Sequence, residues 1–163
     1  MEAAEREGLD GPRLARRIRR DRLDPGYTGE VRVGDLQDPG YRRALVQHVD
    51  VVCHAGTWAS MWNHVELERR NFYQPTCDLI EQAIDQGVKR FIMTSTVAIG
   101  ARTTDARVCR DDNPPTPTGY WPHLDRLIDV DRFMRSNAQR GTQMITLRLG
   151  HFIGTGNRLG LVP

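Results

Sequence analysis

From residue 30 onward the chain alternates short apolar runs with amphipathic stretches. Glu30–Leu36 has the period of a short strand. Asp38 and Pro39 then open a helix, as N-cap and first helical residue, that runs to about His48. Asp50–Gly56 is a continuous apolar run ending in small residues, the pattern of a buried parallel strand. Residues 65–86 read as mostly helical, with Leu79, Ile80, Ala83 and Ile84 inward, a kink or restart at Pro75, and Gly87 as C-cap. A strand over Lys89–Thr96, a polar proline- and aspartate-rich loop over 101–119, a helix over Pro122–Ala138 and a strand over Met144–Gly150 follow. This alternation predicts an α/β fold, a parallel sheet covered by helices.

Ahead of this block, Arg13–Leu23 is dense in arginine, with a thin apolar edge at Leu14, Ile18 and Leu23. Residues 1–28 are therefore read as an arginine-rich helical segment and 29–163 as the folded domain. Charge runs are more often solvated faces than nucleic-acid sites, and a net charge of +2 adds no global field. No nucleic-acid partner is expected. Glu66–Arg70 reads in the same way as a solvated helix face.

No apolar run approaches the ~20 residues of a membrane span, so no membrane partner is expected. Met1–Glu7 is charged and lacks the apolar core of a signal peptide. Cys53, Cys77 and Cys109 are odd in number and not closely paired, which fits a reducing cytoplasm. His48, His54, His64, His123 and His151 show no metal-ligand spacing, so no metal is expected. No Gly-x-Ser-x-Gly elbow supports a hydrolase. Trp58, Met61 and Trp62 suit a pocket wall or partner contact as well as a core or lid.

The chemistry concentrates where the strand over Lys89–Thr96 runs out into Thr94, Ser95 and Thr96. Hydroxyls at the carboxyl end of a parallel strand stand where open sheets bind ligands. Tyr120, 24 residues beyond Thr96, opens the next helix.

Five segments in order resemble the extended short-chain dehydrogenase/reductases, the group of NAD(P)-dependent epimerases and dehydratases. They are Val33–Leu36, Val51–Gly56, Asn71 with Thr76, Gly87–Thr96, and Leu147–Gly156. The resemblance covers about residues 29–163 and implies a Rossmann-like doubly wound parallel sheet, here incomplete at both ends. It implies NAD or NADP as cofactor, with Asp35 and Leu36 near the adenine, His54, Ala55, Gly56 and Thr94 beside the cofactor, and Leu149 near the nicotinamide. It implies catalysis on a hydroxyl or carbonyl of a small-molecule substrate by Tyr120 as general acid/base and by Ser95 or Thr96 steadying the substrate oxygen. The strand alignment favours Thr96, and counting back from Gly100 favours Ser95. A homodimer is compatible with it.

Two departures stand out. The family's tyrosine is tuned by a lysine four residues on, because an ordinary tyrosine pKa near 10 is too high for neutral-pH work. That position is Leu124, and Lys89 is the chain's sole lysine; His123 or Arg126 are the substitute cations on offer. The family also opens with a strand, a Gly-x-x-Gly-x-x-Gly turn and a helix that holds the pyrophosphate. Gly8, Gly11 and Gly26 are not so spaced. In the order 3-2-1-4-5-6 the strands at 30–36 and 50–55 correspond to the third and fourth and are not neighbours. Residues 1–28 must then fill the gap, or the two strands must pair directly, or the first must lie at an edge. Two readings follow: a truncated reductase or epimerase/dehydratase, or a non-catalytic binding or regulatory protein on the same fold.

Overall fold

The computed structural model describes residues 14–16, 26, 29–58, 62–100, 110 and 112–150. Its strands are β1 (Leu14–Arg16), β2 (Val31–Val33), β3 (Val51–His54), β4 (Arg90–Thr96) and β5 (Gln143–Leu149). Its helices are α1 (Pro39–Val46), α2 (Val65–Glu68), α3 (Gln74–Asp85) and α4 (Pro122–Ser136). A π-helical segment, Arg69–Tyr73, joins α2 to α3, and a 3-10 turn, Val97–Ile99, follows β4. All pairings are parallel, in two sheets: β1 with β2, and β3-β4-β5 in that order. None of these helices is long and apolar enough to cross a membrane.

Local chemistry sets the element ends as expected. The Asp38 carboxylate accepts from the Gly40 and Tyr41 amides and starts α1. Gly87, at φ +72°, ends the helix before β4. Pro75 has no N–H to give to a helical ladder, and it sits in the first turn of α3, right after the π-helical residues. Asp50 and Lys89, each just ahead of a strand, pair at 2.9 Å.

Register defines the two faces of the larger sheet. Val52, Phe91 and Met144 share one face with His54, Met93 and Thr146. The helices cover this face: His54 bonds Thr76 of α3, and Thr146 reaches the Met134 sulfur of α4. Ile80, Ala83, Phe91, Ile99 and Ile128, all 0% exposed, form the centre of the core. Helix α1 joins the same layer, because Arg42, 5% exposed, pairs with Asp78 of α3 at 2.9 Å. The opposite face carries Val51, Cys53, Ile92, Ile145 and Leu147.

Several expectations change. Leu14–Arg16 is a strand, not helix, because it gains a parallel ladder with Val31–Val33 that outweighs its weak helical edge; the rest of the arginine-rich segment, Gly26 aside, lies outside the described residues. Of the three outcomes left open for the strand near residue 31, none occurs in simple form. It pairs with β1 and not with β3, and among the described residues the two sheets are not joined. The run 50–56 is not buried throughout: Val51 is 42% exposed and Cys53 is exposed, because no described element covers their face. Glu68 does not lie on a solvated face. It is 0% exposed and reaches His123 of α4.

Gly34 is fixed by a close approach. A Cβ there would stand 2.4 Å from Cδ2 of Tyr41, whose hydroxyl donates to the Arg32 carbonyl at 2.8 Å. Gly34→Ala must displace the ring and strain that bond, at a cost of about 1–3 kcal/mol. Thermal denaturation reads this as a lowered Tm. A loss under ~0.5 kcal/mol would show that the ring gives way freely.

Candidate active site at the carboxyl ends of the strands

The three parallel strands of the larger sheet deliver their last residues to one end. In register, His54 lies beside Met93, Thr94 beside Leu147, Ser95 beside Arg148 and Thr96 beside Leu149. Thr94 Oγ1 donates to the His54 carbonyl at 3.4 Å. Helix α4 runs back from this end to the start of β5, so Tyr120, just ahead of the helix, belongs to the same end.

His54 is buried and shares a 3.2 Å hydrogen bond with Thr76 Oγ1. Burial holds its imidazole down to about 4, so it is neutral near pH 7. Gly56 lets the chain pass close over this ring: a Cβ there would come within 3.2 Å of His54 Cε1. Ala55 continues the strand end and is exposed.

The neighbouring hydroxyls differ in their commitments. Thr96 Oγ1 accepts from the Ala98 amide at 3.2 Å and caps the 3-10 turn. Ser95 Oγ is buried, and among the described residues it has no hydrogen-bond partner. A buried hydroxyl left in that state costs free energy until something pairs with it. Tyr120 is 70% exposed, and its amide reaches Thr118 Oγ1 at 3.4 Å. Asp35 and Leu36 follow β2 in the smaller sheet. The Asp35 carboxylate accepts from the Gln37 amide at 3.0 Å, and Leu36 leans on the core.

The position four residues beyond Tyr120 is committed to packing, since Leu124 is 6% exposed within the core. The two side chains offered in its place are engaged elsewhere. His123 Nδ1 lies 3.2 Å from the buried Glu68 carboxylate. Arg126 pairs with Asp129 at 2.9 Å and sits over the Tyr73 ring, 5.6 Å from its centroid. The Glu68–His123 pair spans 55 residues of sequence, so no local pattern announces it. A cleft of about 440 Å³ between α4 and β5, lined by Asp131, Arg135 and Arg148 among others, includes none of His54, Thr94, Ser95 or Tyr120.

These groups suit a ligand that carries a hydroxyl or carbonyl oxygen. A dinucleotide's pyrophosphate wants free amides at a helix N-terminus. Among the described residues, Asp38 occupies the start of α1, whereas α2 and α4 begin without a side-chain cap; the Asp125 carboxylate accepts from the Thr118 and Gly119 amides ahead of α4.

The profile of the NAD dependent epimerase/dehydratase family matches residues 2–161. The chain belongs to this family. The epimerase/dehydratase match begins well ahead of residue 29, so the arginine-rich segment is part of it. No curated protein matches significantly. Among solved structures, the Thermus thermophilus UDP-glucose 4-epimerase in complex with NAD is similar at 20% identity and a TM-score of 0.74, over 90% of this chain and 49% of its own. The Bacillus cereus UDP-N-acetylglucosamine 4-epimerase is similar at 18% identity and 0.71, over 94% and 55%. The dTDP-glucose 4,6-dehydratase of Streptomyces venezuelae with NAD bound is similar at 21% identity and 0.70, over 90% and 48%. The chain thus spans about half the length of these epimerases and this dehydratase, and the likeness establishes their fold.

Proposed function

We propose that this chain carries the substrate side of an NAD(P)-dependent site that acts on a hydroxyl or carbonyl of a small molecule, with nucleotide sugars as the class to test first. The observation that carries the reading is the buried Ser95 hydroxyl, without a hydrogen-bond partner among the described residues, at the strand end shared with His54 and Thr94. Of the two candidate hydroxyls, Ser95 takes the substrate oxygen, because Thr96 is spent on its cap. The Ser95 hydroxyl donates to that oxygen and fixes its position. Tyr120, exposed at the same end, gives or takes the substrate proton. His54 stays neutral and acts through shape: its ring and its carbonyl hold Gly56 and Thr94 in place. NAD(P), when bound, would supply hydride exchange.

Titration of the full chain with NADH, followed by nicotinamide fluorescence, tests the reading. The expected result is weak binding, with Kd on the order of millimolar, because the sequence has no Gly-x-x-Gly-x-x-Gly spacing to cradle the pyrophosphate. No binding of NADH or NADPH at millimolar concentration would remove the proposal. With NAD present and UDP-glucose, UDP-N-acetylglucosamine and dTDP-glucose as trial substrates, Tyr120→Phe is expected to lower turnover about 10²-fold. An unchanged rate would take Tyr120 out of the mechanism.

A further inference from the structure

Two helices overhang the carboxyl ends of the strands and meet there through one buried pair. Thr76 of α3 is level with His54 at the end of β3, since the two share a hydrogen bond of 3.2 Å. Glu68 lies eight residues ahead of Thr76. The backbone between them stays helical, with right-handed dihedrals at Arg69 and Gln74. At 1.5 Å per residue, Glu68 therefore stands about 12 Å beyond the level of His54. On the other helix, Asp131 is level with Arg148, 3.7 Å away near the end of β5. His123 lies eight residues ahead of Asp131 within α4, and so stands about 12 Å beyond Arg148. Both helices run against the strands, so the two overhangs point the same way. Ser95 is beside Arg148 in register and shares the helix-covered face of the sheet with Phe91 and Met93. The Glu68–His123 pair thus bridges α2 and α4 above the strand end that carries Ser95.

The pair has the construction of an acid/base group. Glu68 is fully buried, and its Oε2 lies 3.2 Å from Nδ1 of His123. Val65, Glu66, Leu67, Arg69 and Arg70 around it are exposed, so Glu68 alone of this stretch is turned inward. Packing gives no reason for that choice, because apolar side chains in place of a buried charged pair are often neutral or stabilising. The π-helical segment that follows shifts the phase of the helix, a feature frequent at functional sites. It brings Phe72 against the same imidazole, with ring centroids 5.8 Å apart. The ring is therefore held at its Nδ1 edge and packed on Phe72. Among the described residues its one hydrogen bond is at Nδ1, and the side chain keeps 12% of its surface exposed. A carboxylate in that place accepts the Nδ1 proton in a hydrogen bond, leaves Nε2 as the basic nitrogen and stabilises the imidazolium.

We propose that His123, backed by Glu68, is a second acid/base group of this site and exchanges a proton with the substrate oxygen held by Ser95. The step is a proton transfer alone. The substrate O–H bond breaks, its electron pair stays on oxygen, and the proton bonds to Nε2. The Glu68 carboxylate balances the imidazolium so formed. In the reverse direction the proton returns to the oxygen. The ligand is an alcohol or carbonyl compound that reaches from Ser95 to His123, a span within about 12 Å. The inference rests on the proposed function for the ligand and for Ser95, and it adds the group that serves the oxygen from between the helices. Tyr120, 70% exposed, serves it from the solvent side.

Nitrogen-15 NMR of the full chain tests this without any substitution. The His123 imidazole is identified by its cross-peaks to the Phe72 ring. The expected spectrum has the proton on Nδ1, slow to exchange, and an Nε2 signal that shifts on addition of UDP-glucose, UDP-N-acetylglucosamine or dTDP-glucose. The amide signals of Thr94–Thr96 are followed in the same titrations. Amides that move while Nε2 does not would overturn the role of His123 and keep the proposed function. No movement of either would remove both, and a proton resident on Nε2 would overturn the dyad outright. With NAD and a sugar that binds, His123→Gln is expected to lower kcat about 10²-fold, with KM changed by less than about threefold. Glu68→Gln keeps an acceptor for Nδ1 without its charge and should lower kcat by a smaller factor. A lowered Tm with kcat unchanged in both variants would show a merely structural pair and overturn the proposal.

Discussion

Phe91→Ala is expected to destabilise the fold by about 3–5 kcal/mol, the usual cost of emptying a buried phenylalanine site. Phe91 is 0% exposed in the central strand β4, beside Val52 of β3 and Met144 of β5. Its ring lies 6.2 Å from that of His54. Three strands and the helix layer meet at this side chain, so the neighbours cannot close the cavity without breaking the ladder. Domains of this size have only about 5–15 kcal/mol in total. A loss of that size is a large fraction of the total, so the variant should be largely unfolded at physiological temperature. Urea denaturation measures the loss. Val97→Ala, at a position 57% exposed, is the control and should change stability by less than ~0.5 kcal/mol. Equal effects from the two would disprove the central place given to Phe91.

The second large effect is an acid transition governed by His54. Burial depresses its folded pKa to about 4, from an ordinary 6.5. The unfolded chain takes up the proton near 6.5 and the folded chain only near 4, so between these values the unfolded state binds more protons. Stability from the neutral buried ring is fully present above pH 6.5 and falls as pH drops toward 4. At 1.36 kcal/mol per unit, the fall totals roughly 3 kcal/mol. His54→Gln keeps a hydrogen-bonding partner for Thr76 and removes the titrating group. Circular dichroism melts across pH 7 to 4 should show a steep decline in the native chain and a shallower one in the variant. A His54 ring that titrates by NMR near 6.5 would overturn this account.

What could be read from the sequence was what short-range chemistry decides. Asp38 caps its helix because its carboxylate reaches amides two and three residues on. Gly87 ends one because only its own φ is at issue. The order of strands and helices from β2 to β5 follows from apolar runs of sufficient length. The misreadings share one cause, partners distant in sequence. Leu14–Arg16 is too short to show a period, and Val31–Val33 decides its conformation. Glu68 sits in a stretch of charge and is buried only because His123 meets it. The apolar run at β3 was legible, but the exposure of Val51 and Cys53 reflects a layer absent from the described residues. Within the site, the hydroxyls and Tyr120 were legible as candidates. The difference between Ser95 and Thr96 was not, since it depends on which hydroxyl the following turn captures.

The ion pair between Asp50 and Lys89 has a practical use. Lys89 is the sole lysine of the chain and is exposed, so besides the terminal amine there is one primary amine to label. A fluorophore attached there stands at the foot of β4, one strand away from the edge of β3 that has no partner among the described residues. It would register, as a change in anisotropy or quenching, any polypeptide that came to rest beside that strand, without a cysteine having to be introduced or removed.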